Sequence, residues 1–415
     1  MPSRPRLWWI MALLLLVNIL NFVDRQIPFI LAESIKRDLQ LSDTQIGVLG
    51  GIAFAIVYST LGIPLARLGE RIGRKWVLSG SLLVWSALTA MGGLAQNYVQ
   101  LVGTRLGVAA GEAGSTPAAH SLISSYFPPG RRGLPLAIFS LGVPLGTMLG
   151  LFAGGYVSQV WTWRQAMIVV GLPGILLALL TIFTLREPPP SREAEGEPDL
   201  PLFATLMALL KKRSFRHMAA GIAVYSMGAN ATIVFAPAFL MRTYGMSSAG
   251  TGLSLGLLYG IAGVAGTLAG GALGDWLGKR DQRWRLWLPA LGLLIAMPFT
   301  FGAWFATSAA LSVLLLAGPK FANLLYIGPI FVALHSIAPV RSRATASAFL
   351  IFFNSLIGVS FGPLITGMLS DWLEPTMGLF SLRYALCFVM LTQVWAAWHF
   401  WIAARSIRAD AAAMP

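Results

Sequence analysis

The sequence predicts an all-α integral membrane protein with twelve transmembrane helices in two pseudo-symmetric bundles of six. Three observations support this fold class: the composition, the recurrence of long apolar segments, and a similarity between the two halves of the chain. Of the 415 residues, 56% are hydrophobic and 11% are charged, whereas soluble domains carry about 25% charged residues. A chain of this composition cannot cover itself with polar side chains, so we expect it in a lipid bilayer.

Apolar segments that are long enough to cross a bilayer as helices recur along the whole chain. The first could be mistaken for a signal peptide, but it is too long for one and has no convincing cleavage site. The single cysteine, Cys387, excludes an internal disulfide. The predicted spans cover residues 8–30, 44–66, 75–94, 98–121, 133–158, 165–186, 215–242, 249–273, 284–306, 309–334, 342–370 and 382–405.

Basic residues are concentrated in alternate loops, which predicts an orientation in the membrane. If the N-terminus lies in the cytoplasm, most of the 30 lysines and arginines fall in inner segments. The positive-inside rule therefore predicts a multi-pass protein with both termini in the cytoplasm, and we expect the membrane to be a bacterial inner membrane. The same distribution accounts for the net charge of +14 without a nucleic-acid partner.

A proline-rich and acidic segment divides the predicted spans into six and six. The segment "REPPPSREAEGEPDLPLF" is a poor packer, which indicates a linker. The apolar run after it ends in basic residues and could form an amphipathic helix on the inner leaflet. We therefore predict a first bundle over 1–186, a cytoplasmic linker over 187–214 and a second bundle over 215–415.

Short motifs repeat between the two halves. "GERIGRK" (69–75) follows the second span, and "GDWLGKR" (274–280) follows the eighth. "RRGLPLA" (131–137) follows the fourth span, and "RSRATASA" (341–348) follows the tenth. Internal repeats of this kind are typical of secondary transporters.

The turn that follows spans two and eight resembles the signature loop of the major facilitator superfamily, G-x-x-x-D-[RK]-x-G-[RK]-[RK]. The resemblance covers nearly the whole chain and implies the major facilitator fold. The first copy has Ala66 and Glu70 in place of the glycine and the aspartate, and the second has Trp276 in place of the basic residue. In the family this loop braces the inside gate; the alternative is a solvated turn. The gate residues that the resemblance implies are Gly69, Glu70, Arg71, Gly73, Arg74, Lys75, Asp275, Gly278, Lys279, Arg280, Arg132 and Arg343.

Two further motifs are similar to the spinster-like branch of this superfamily, which moves lysophospholipids and sphingosine phosphates. They are "NFVDR" in span one and "RLGVAAGEAGSTPAA" (105–119) in span four. Spans one and four of the superfamily face a central cavity. The resemblance thus implies that the charged residues of both motifs line a substrate path.

The polar and charged residues of span one lie on or beside one helical face. Asn18, Asn21 and Arg25 follow helical spacing, and Asp24 borders the same face. Charges in hydrocarbon are costly and usually face a protein interior or a water-filled path.

In span four, Arg105 and Glu112 lie two turns apart. The resemblance implies that Asp24 and Glu112 carry protons, while Arg25 and Arg105 hold the anionic group of the substrate. The alternative is a fixed salt-bridge cluster that locks the two helices together.

The second half carries a single intramembrane charge, Lys320. We predict that Lys320 is the repeat partner of Arg105. The alternative is a lysine whose side chain extends to the membrane interface. Mildly polar and aromatic residues surround it in the predicted bundle, and from these we select Asn230, Tyr326 and Phe353, with Asn21 of span one, as candidate substrate contacts.

These features favour a proton-coupled secondary transporter of lysophospholipid-like or sphingolipid-like amphiphiles, anionic or zwitterionic, that acts as a monomer in the lipid bilayer. One alternative is a transporter of small organic anions or drugs on the same fold, and another is a non-transporting receptor or a lipid enzyme. We find no phosphate-binding loop, metal-ligand cluster or nucleophile constellation in the sequence. We therefore expect no enzymatic activity, no cofactor and no use of ATP.

Overall fold

The computed structural model describes residues 4–128, 131–187, 202–339 and 342–412, and the regular secondary structure in these ranges is entirely helical. A π-helical turn over Asn354–Val359 follows α17, and a 3-10 turn over Gly378–Phe380 follows α18. The helices are α1 (Arg4–Ile30), α2 (Ala32–Leu39), α3 (Asp43–Gly50), α4 (Ile52–Ile72), α5 (Arg74–Gly92), α6 (Tyr98–Glu112), α7 (Ser115–Tyr126), α8 (Gly133–Ser140), α9 (Gly142–Val160), α10 (Trp163–Thr184), α11 (Leu202–Lys211), α12 (Arg213–Tyr244), α13 (Ser248–Arg280), α14 (Trp284–Trp304), α15 (Ala309–Ala322), α16 (Ile327–Ile337), α17 (Arg343–Phe353), α18 (Ser360–Met377), α19 (Ser381–Met390) and α20 (Thr392–Ala412).

Helices cover every predicted span, although several spans consist of two helices separated by a short break. In the described part of the chain, nine helical stretches are long and apolar enough to cross a membrane, and the last of them, Thr345–Ala412, includes both the eleventh and the twelfth predicted spans. The third and fourth predicted spans correspond to α5 and to the pair α6 and α7. The predicted all-helical membrane fold is confirmed.

Half of the predicted linker, residues 188–201, lies outside the described residues. Its C-terminal part forms α11. In this helix Leu209 is buried in the apolar core of the C-terminal half, and Leu206 and Leu210 pack against the same core. One apolar side of α11 is therefore covered by protein, whereas Phe203 and Met207 are exposed.

Contacts divide the chain into two compact units. Unit 1 comprises Met1–Ser42, Ile52–Gly196 and Met246–Gly256, and unit 2 comprises Asp43–Gly51, Glu197–Gly245 and Leu257–Pro415. The division follows the two halves of the sequence except for two short segments, which begin the second and eighth spans. Each of these segments packs with helices of the other half of the sequence.

The first exchanged segment is held in unit 2 by charge. Asp371 accepts hydrogen bonds from the backbone nitrogens of Asp43 and Thr44, each at 2.8 Å, and so caps the N-terminus of α3. A carboxylate is stabilised at this end of a helix by its dipole. The Asp43 carboxylate in turn accepts two bonds of 2.7 Å from Arg242 and one of 2.6 Å from Ser370.

The second exchanged segment is held in unit 1 by neutral groups. The Ser248 hydroxyl donates to the carbonyl oxygen of Gly155 at 3.0 Å, and the Ala249 backbone nitrogen donates to the Gln159 side chain at 3.1 Å. Ser248 lies as far from Asp43 in the sequence as the two motif acids lie from each other. The two contacts are therefore copies of one repeat, but only the first carries an ion pair.

Both exchanged segments lie against backbone of the opposite half. A Cβ atom on Gly47 would be 2.4 Å from the carbonyl oxygen of Pro363, and one on Gly252 would be 2.1 Å from that of Leu151. Neither position can accept a side chain without separation of the helices. Gly47 and Gly252 again stand at the repeat interval of the motif acids, so the repeat extends to the helix crossings.

Candidate functional site

Four charged side chains of α1 and α6 meet inside unit 1. The Arg25 Nε atom donates to a Glu112 carboxylate oxygen at 2.6 Å. Asp24 lies close enough to Arg105 and Glu112 for their charges to interact. Asp24, Arg105 and Glu112 are buried, and the Arg25 side chain is 22% exposed. The cluster is electrically neutral when all four groups are ionised.

The local structure of α6 places Arg105 and Glu112 on one side of the helix. Asn97 caps the N-terminus by accepting a bond of 3.0 Å from the Gln100 backbone nitrogen. From that start, two full turns separate the arginine from the glutamate. A Cβ atom on Gly111 would lie 2.8 Å from the backbone nitrogen of Trp85, so α6 lies directly against α5 beside Glu112.

Aromatic rings of α4 contact both arginines. The Arg25 guanidinium lies 4.6 Å from the ring centre of Tyr58 and 5.0 Å from those of Phe54 and Phe22. The Arg105 guanidinium lies 5.4 Å from the Phe54 ring. Such contacts favour a cation over the ring face. Sequence reasoning missed Phe54 and Tyr58, although their spacing of one helical turn was a signal.

Several polar atoms of this cluster have no hydrogen-bond partner among the described residues. They include one carboxylate oxygen each of Asp24 and Glu112, the Arg105 Nε atom and both amide atoms of Asn21. Most buried polar side-chain atoms in proteins are paired. The cluster is therefore a fixed ion pair between Arg25 and Glu112 with spare hydrogen-bonding capacity around it. That capacity suits a proton, water or a ligand.

Asn18, which the helical pattern places on the same face, has a different contact. Its amide donates to the Phe139 carbonyl oxygen at 2.7 Å. It thereby ties α1 to α8 and lies outside the charged cluster.

The candidate residues of the second half line a cavity in unit 2. The cavity has a volume of about 170 Å³, and its lining includes Lys320, Asn230 and Tyr326. Tyr225 and Asn354 also line it. Phe353 instead packs against the apolar core, with its ring 5.8 Å from that of Phe352. The structure therefore brings together all but one of the candidates that were selected in this half.

Tyr259 of α13 completes this cavity and was missed by sequence reasoning. The Lys320 Nζ atom lies 4.6 Å from the centre of its ring. Tyr225, which also lines the cavity, donates from its hydroxyl to the Asn323 carbonyl oxygen at 2.5 Å, and its ring centre lies 4.7 Å from that of Tyr326. The sequence alone does not show whether a tyrosine in a long apolar span lines a cavity or packs against other helices, so Tyr259 was not selected.

Neither motif acid of the two repeated turns has a partner among the described residues. Glu70 and Asp275 are both exposed, and neither makes a hydrogen bond or ion pair with a described residue. Among the other motif residues, Arg71, Lys279 and Arg280 are exposed, Gly69 and Gly278 are buried, and Gly73 has a φ of 103°.

A different acid, Glu187, caps the helix that follows the first motif. Its carboxylate accepts bonds from the backbone nitrogens of Arg74, at 3.2 Å, and Lys75, at 2.7 Å, and from the Arg74 side chain at 2.9 Å. Glu187 opens the proline-rich segment that sequence reasoning treated as a linker, so its role gave no signal.

The arginines after spans four and ten have matching contacts in their own units. The Nε atom of Arg132 donates to the Phe127 carbonyl oxygen at 3.0 Å, and that of Arg343 donates to the His335 carbonyl oxygen at 3.1 Å. Each arginine therefore ties the start of one span to the end of the span before it.

Sequence comparisons relate this chain to membrane transporters. A sequence model of the Major Facilitator Superfamily matches residues 14–363. An MFS-type efflux pump of Mycolicibacterium smegmatis is 40% identical over 408 residues, which cover 98% of this chain and 94% of the pump. Protein spinster homolog 1 of Homo sapiens is 28% identical and covers 90% of this chain, with 74% of its own length matched. A probable L-galactonate transporter of Escherichia coli is 28% identical over 91% of this chain and 85% of its own length.

Solved structures give the same relationship. The crystal structure of a bacterial homolog of the human lysosomal transporter Spinster, in an inward-facing and unoccupied conformation, matches with a TM-score of 0.90 and 29% identity over 99% of both chains. A D-xylose–proton symporter matches with a TM-score of 0.75 at 18% identity, over 95% of this chain and 97% of the symporter, which is a likeness of fold alone.

Removal of either partner of the buried Arg25–Glu112 pair should destabilise the protein more than removal of both. We expect Arg25→Ala or Glu112→Ala each to lower the free energy of unfolding by about 3–5 kcal/mol, because each leaves a buried charge without its partner. The double variant should lose less than the sum of the two. The measurement is unfolding of the purified protein in detergent, analysed as a double-mutant cycle.

The exposed pair Asp38 and Arg164 supplies the control for this cycle, since these side chains are 44% and 29% exposed. Exposed pairs contribute about 0–1 kcal/mol. Equal coupling energies for the two pairs would show that the Arg25–Glu112 contact is not a buried ion pair in the membrane protein.

Proposed function

Because the chain belongs to the Major Facilitator Superfamily and is a transporter rather than an enzyme, we propose that it moves single-tailed anionic amphiphiles by proton-coupled alternating access. Lysophospholipids and sphingosine phosphates are the substrates of this class. The predicted resemblance to the spinster-like branch is confirmed, and it supports this choice of cargo. The observation that carries the proposal is the neutral cluster of two acids and two arginines buried in spans one and four.

The cluster couples protons to an anion through a shared arginine. While Glu112 is ionised it occupies Arg25, which then has little attraction left for a substrate. A proton on Glu112 removes the negative charge from this pair and frees the guanidinium, whose planar fork suits a phosphate. Asp24 supplies a second carboxylate with an unpaired oxygen, close to Arg105. Proton binding and anion binding therefore assist each other.

Alternating access needs contacts that exist in one state only. The ion pair of Asp43 and Arg242 at the start of the second span is made in this structure. The motif acids Glu70 and Asp275, at the opposite ends of their spans, have no partner among the described residues. We propose that these two acids gain partners in the state in which the Asp43 contact is broken, which gives the motif turns a gate role.

A second candidate function is export or import of small organic anions or drugs on the same fold. The relatives support it, since one is an efflux pump and another is a probable L-galactonate transporter. The cavity of about 170 Å³ in unit 2 also suits a small polar group, because pockets for drug-sized ligands occupy about 300–1,000 Å³. This candidate shares the proton mechanism and differs in the absence of a tail.

The remaining features of the proposal follow from the sequence. The protein resides in a bacterial inner membrane with both termini in the cytoplasm, acts as a monomer and draws on the proton gradient instead of ATP. The bundles over 1–186 and 215–415 are the two moving bodies, and the linker over 187–214 joins them.

Asp24→Asn and Glu112→Gln should abolish the response of transport to a pH gradient while each retains the shape of the native side chain. Proteoliposomes would be tested for uptake of a labelled lysophospholipid and of a labelled organic anion, with and without an imposed gradient. We expect gradient-driven uptake to fall by about 100-fold or more, because one positioned proton-transfer group typically contributes at least that factor.

Asp38→Asn is the matched control, since it removes an exposed carboxylate from the same unit and should retain the response. Full gradient-driven uptake in both cluster variants would place the proton sites elsewhere. Gradient-driven uptake of the organic anion alone would transfer the proposal to the second candidate function.

The gate residues should act in opposite directions. Glu70→Ala or Asp275→Ala should favour the state in which the motif turns are apart, whereas Asp43→Asn should favour the state in which they are together. Distances between spin labels on the α4–α5 and α13–α14 turns, measured by double electron–electron resonance, would report both shifts. Unchanged distance distributions in the Glu70 and Asp275 variants would remove the gate role from the motif.

A further inference from the structure

The cavity of unit 2 holds a cation that no described acidic side chain neutralises. Lys320 lies within the tenth span, and no ion pair connects it to a described residue. Of the described acids in unit 2, Asp43 pairs with Arg242, Asp281 pairs with Arg408, and Asp410 accepts bonds from Ser214. A lone charge in a membrane span is costly and marks a site for a ligand or an ion.

The cavity also holds an unused hydrogen-bond donor beside this lysine. The Tyr259 side chain is buried, and its hydroxyl has no hydrogen-bond partner among the described residues. The Lys320 Nζ atom lies over the ring of this tyrosine. A ring face stabilises the charge but accepts no conventional hydrogen bond from the ammonium group. Two adjacent donors thus lack an acceptor, and an anion would supply it.

Between matched positions, span eleven contains one more residue than span five, its repeat partner, and the additional residue lies beside this cavity. Arg343 and Ser360 in span eleven are one residue further apart than Arg132 and Met148, their repeat partners in span five. The π-helical turn Asn354–Val359 accommodates this extra residue, and Asn354 lines the cavity. π-helical turns inside α-helices occur frequently at functional sites.

We propose that the Lys320 cavity is an anion site in its own right, which takes the phosphate or carboxylate group of the substrate whether or not the carboxylates of unit 1 are protonated. Arg25 is occupied by Glu112 in the ionised cluster, whereas no described side chain forms an ion pair with Lys320. A volume of about 170 Å³ accommodates a head group but not a whole lipid. This inference rests on the proposed transport of anionic substrates and adds the place where the anion first binds.

The test measures binding of three probes to the full-length protein in lipid nanodiscs, by thermophoresis. The probes are a lysophosphatidic acid, the monoacylglycerol with the same acyl chain, and inorganic phosphate. Wild type should prefer the lysophosphatidic acid to the monoacylglycerol by at least about tenfold, and this preference should persist in Glu112→Gln. Lys320→Gln should abolish the preference, and Lys320→Arg should retain most of it.

Lys211→Gln, which removes an exposed lysine from α11, is the charge-matched control and should retain the preference.

Lys320→Met should raise the melting temperature of the protein without ligand, because it removes a lone charge. If Lys320 had a purely structural role, the same substitution would lower the melting temperature. If wild type binds inorganic phosphate and Lys320→Gln does not, the cavity recognises the anionic group without a tail, which supports the inference. An unchanged preference in Lys320→Gln would overturn the inference. Gradient-driven uptake by that variant would then show that the proposed transport stands without it.

Discussion

The ion pair between Arg25 and Glu112 joins two helices of unit 1 at a buried point that several other side chains contact. It connects α1 to α6 in a region where neither charge could remain alone, because a buried ion without a partner costs several kcal/mol. Phe54 and Tyr58 lie against the arginine and keep α4 beside the same point. The backbone contact of Gly111 with Trp85 adds α5. In the proposed mechanism, a proton on Glu112 would weaken the contact at which these four helices meet.

The two halves repeat one architecture but use charge differently. The cluster in unit 1 contains two acids and two bases and is neutral when all four are ionised. The cavity in unit 2 contains one lysine beside a tyrosine hydroxyl that has no hydrogen-bond partner among the described residues. The exchanged segments show the same contrast, because Asp43 has an ion pair at the position where its repeat partner Ser248 has a hydroxyl. The two halves therefore differ in the sites that we propose for them, which are a coupled proton and anion site in unit 1 and an anion site in unit 2.

Much of this account could be predicted from the sequence, because charges in apolar runs are conspicuous. Asp24, Arg25, Arg105, Glu112 and Lys320 stand out for that reason, and the repeated turns reveal the two halves. Contacts made by ordinary residues could not be predicted. Tyr259 looks like any aromatic residue of a buried span, and Asp43 looks like a residue at the end of a loop.

The π-helical turn in span eleven accommodates a single added residue. This residue can be recognised in the sequence only when the two halves are aligned on both sides of the turn. Glu187 was hidden for another reason. Its neighbours are the prolines and acids of a poor packer, which gave no indication that one carboxylate turns back to cap α5.

We propose that an anion and a proton bind together at the unit 1 cluster. This can be tested by counting the protons that the purified protein takes up when a lysophosphatidic acid binds, read from an indicator dye in weakly buffered detergent solution. We expect net proton uptake on binding in the wild type and in Asp38→Asn, and its loss in Glu112→Gln. Binding without any proton uptake in the wild type, or the same uptake in Glu112→Gln, would contradict it.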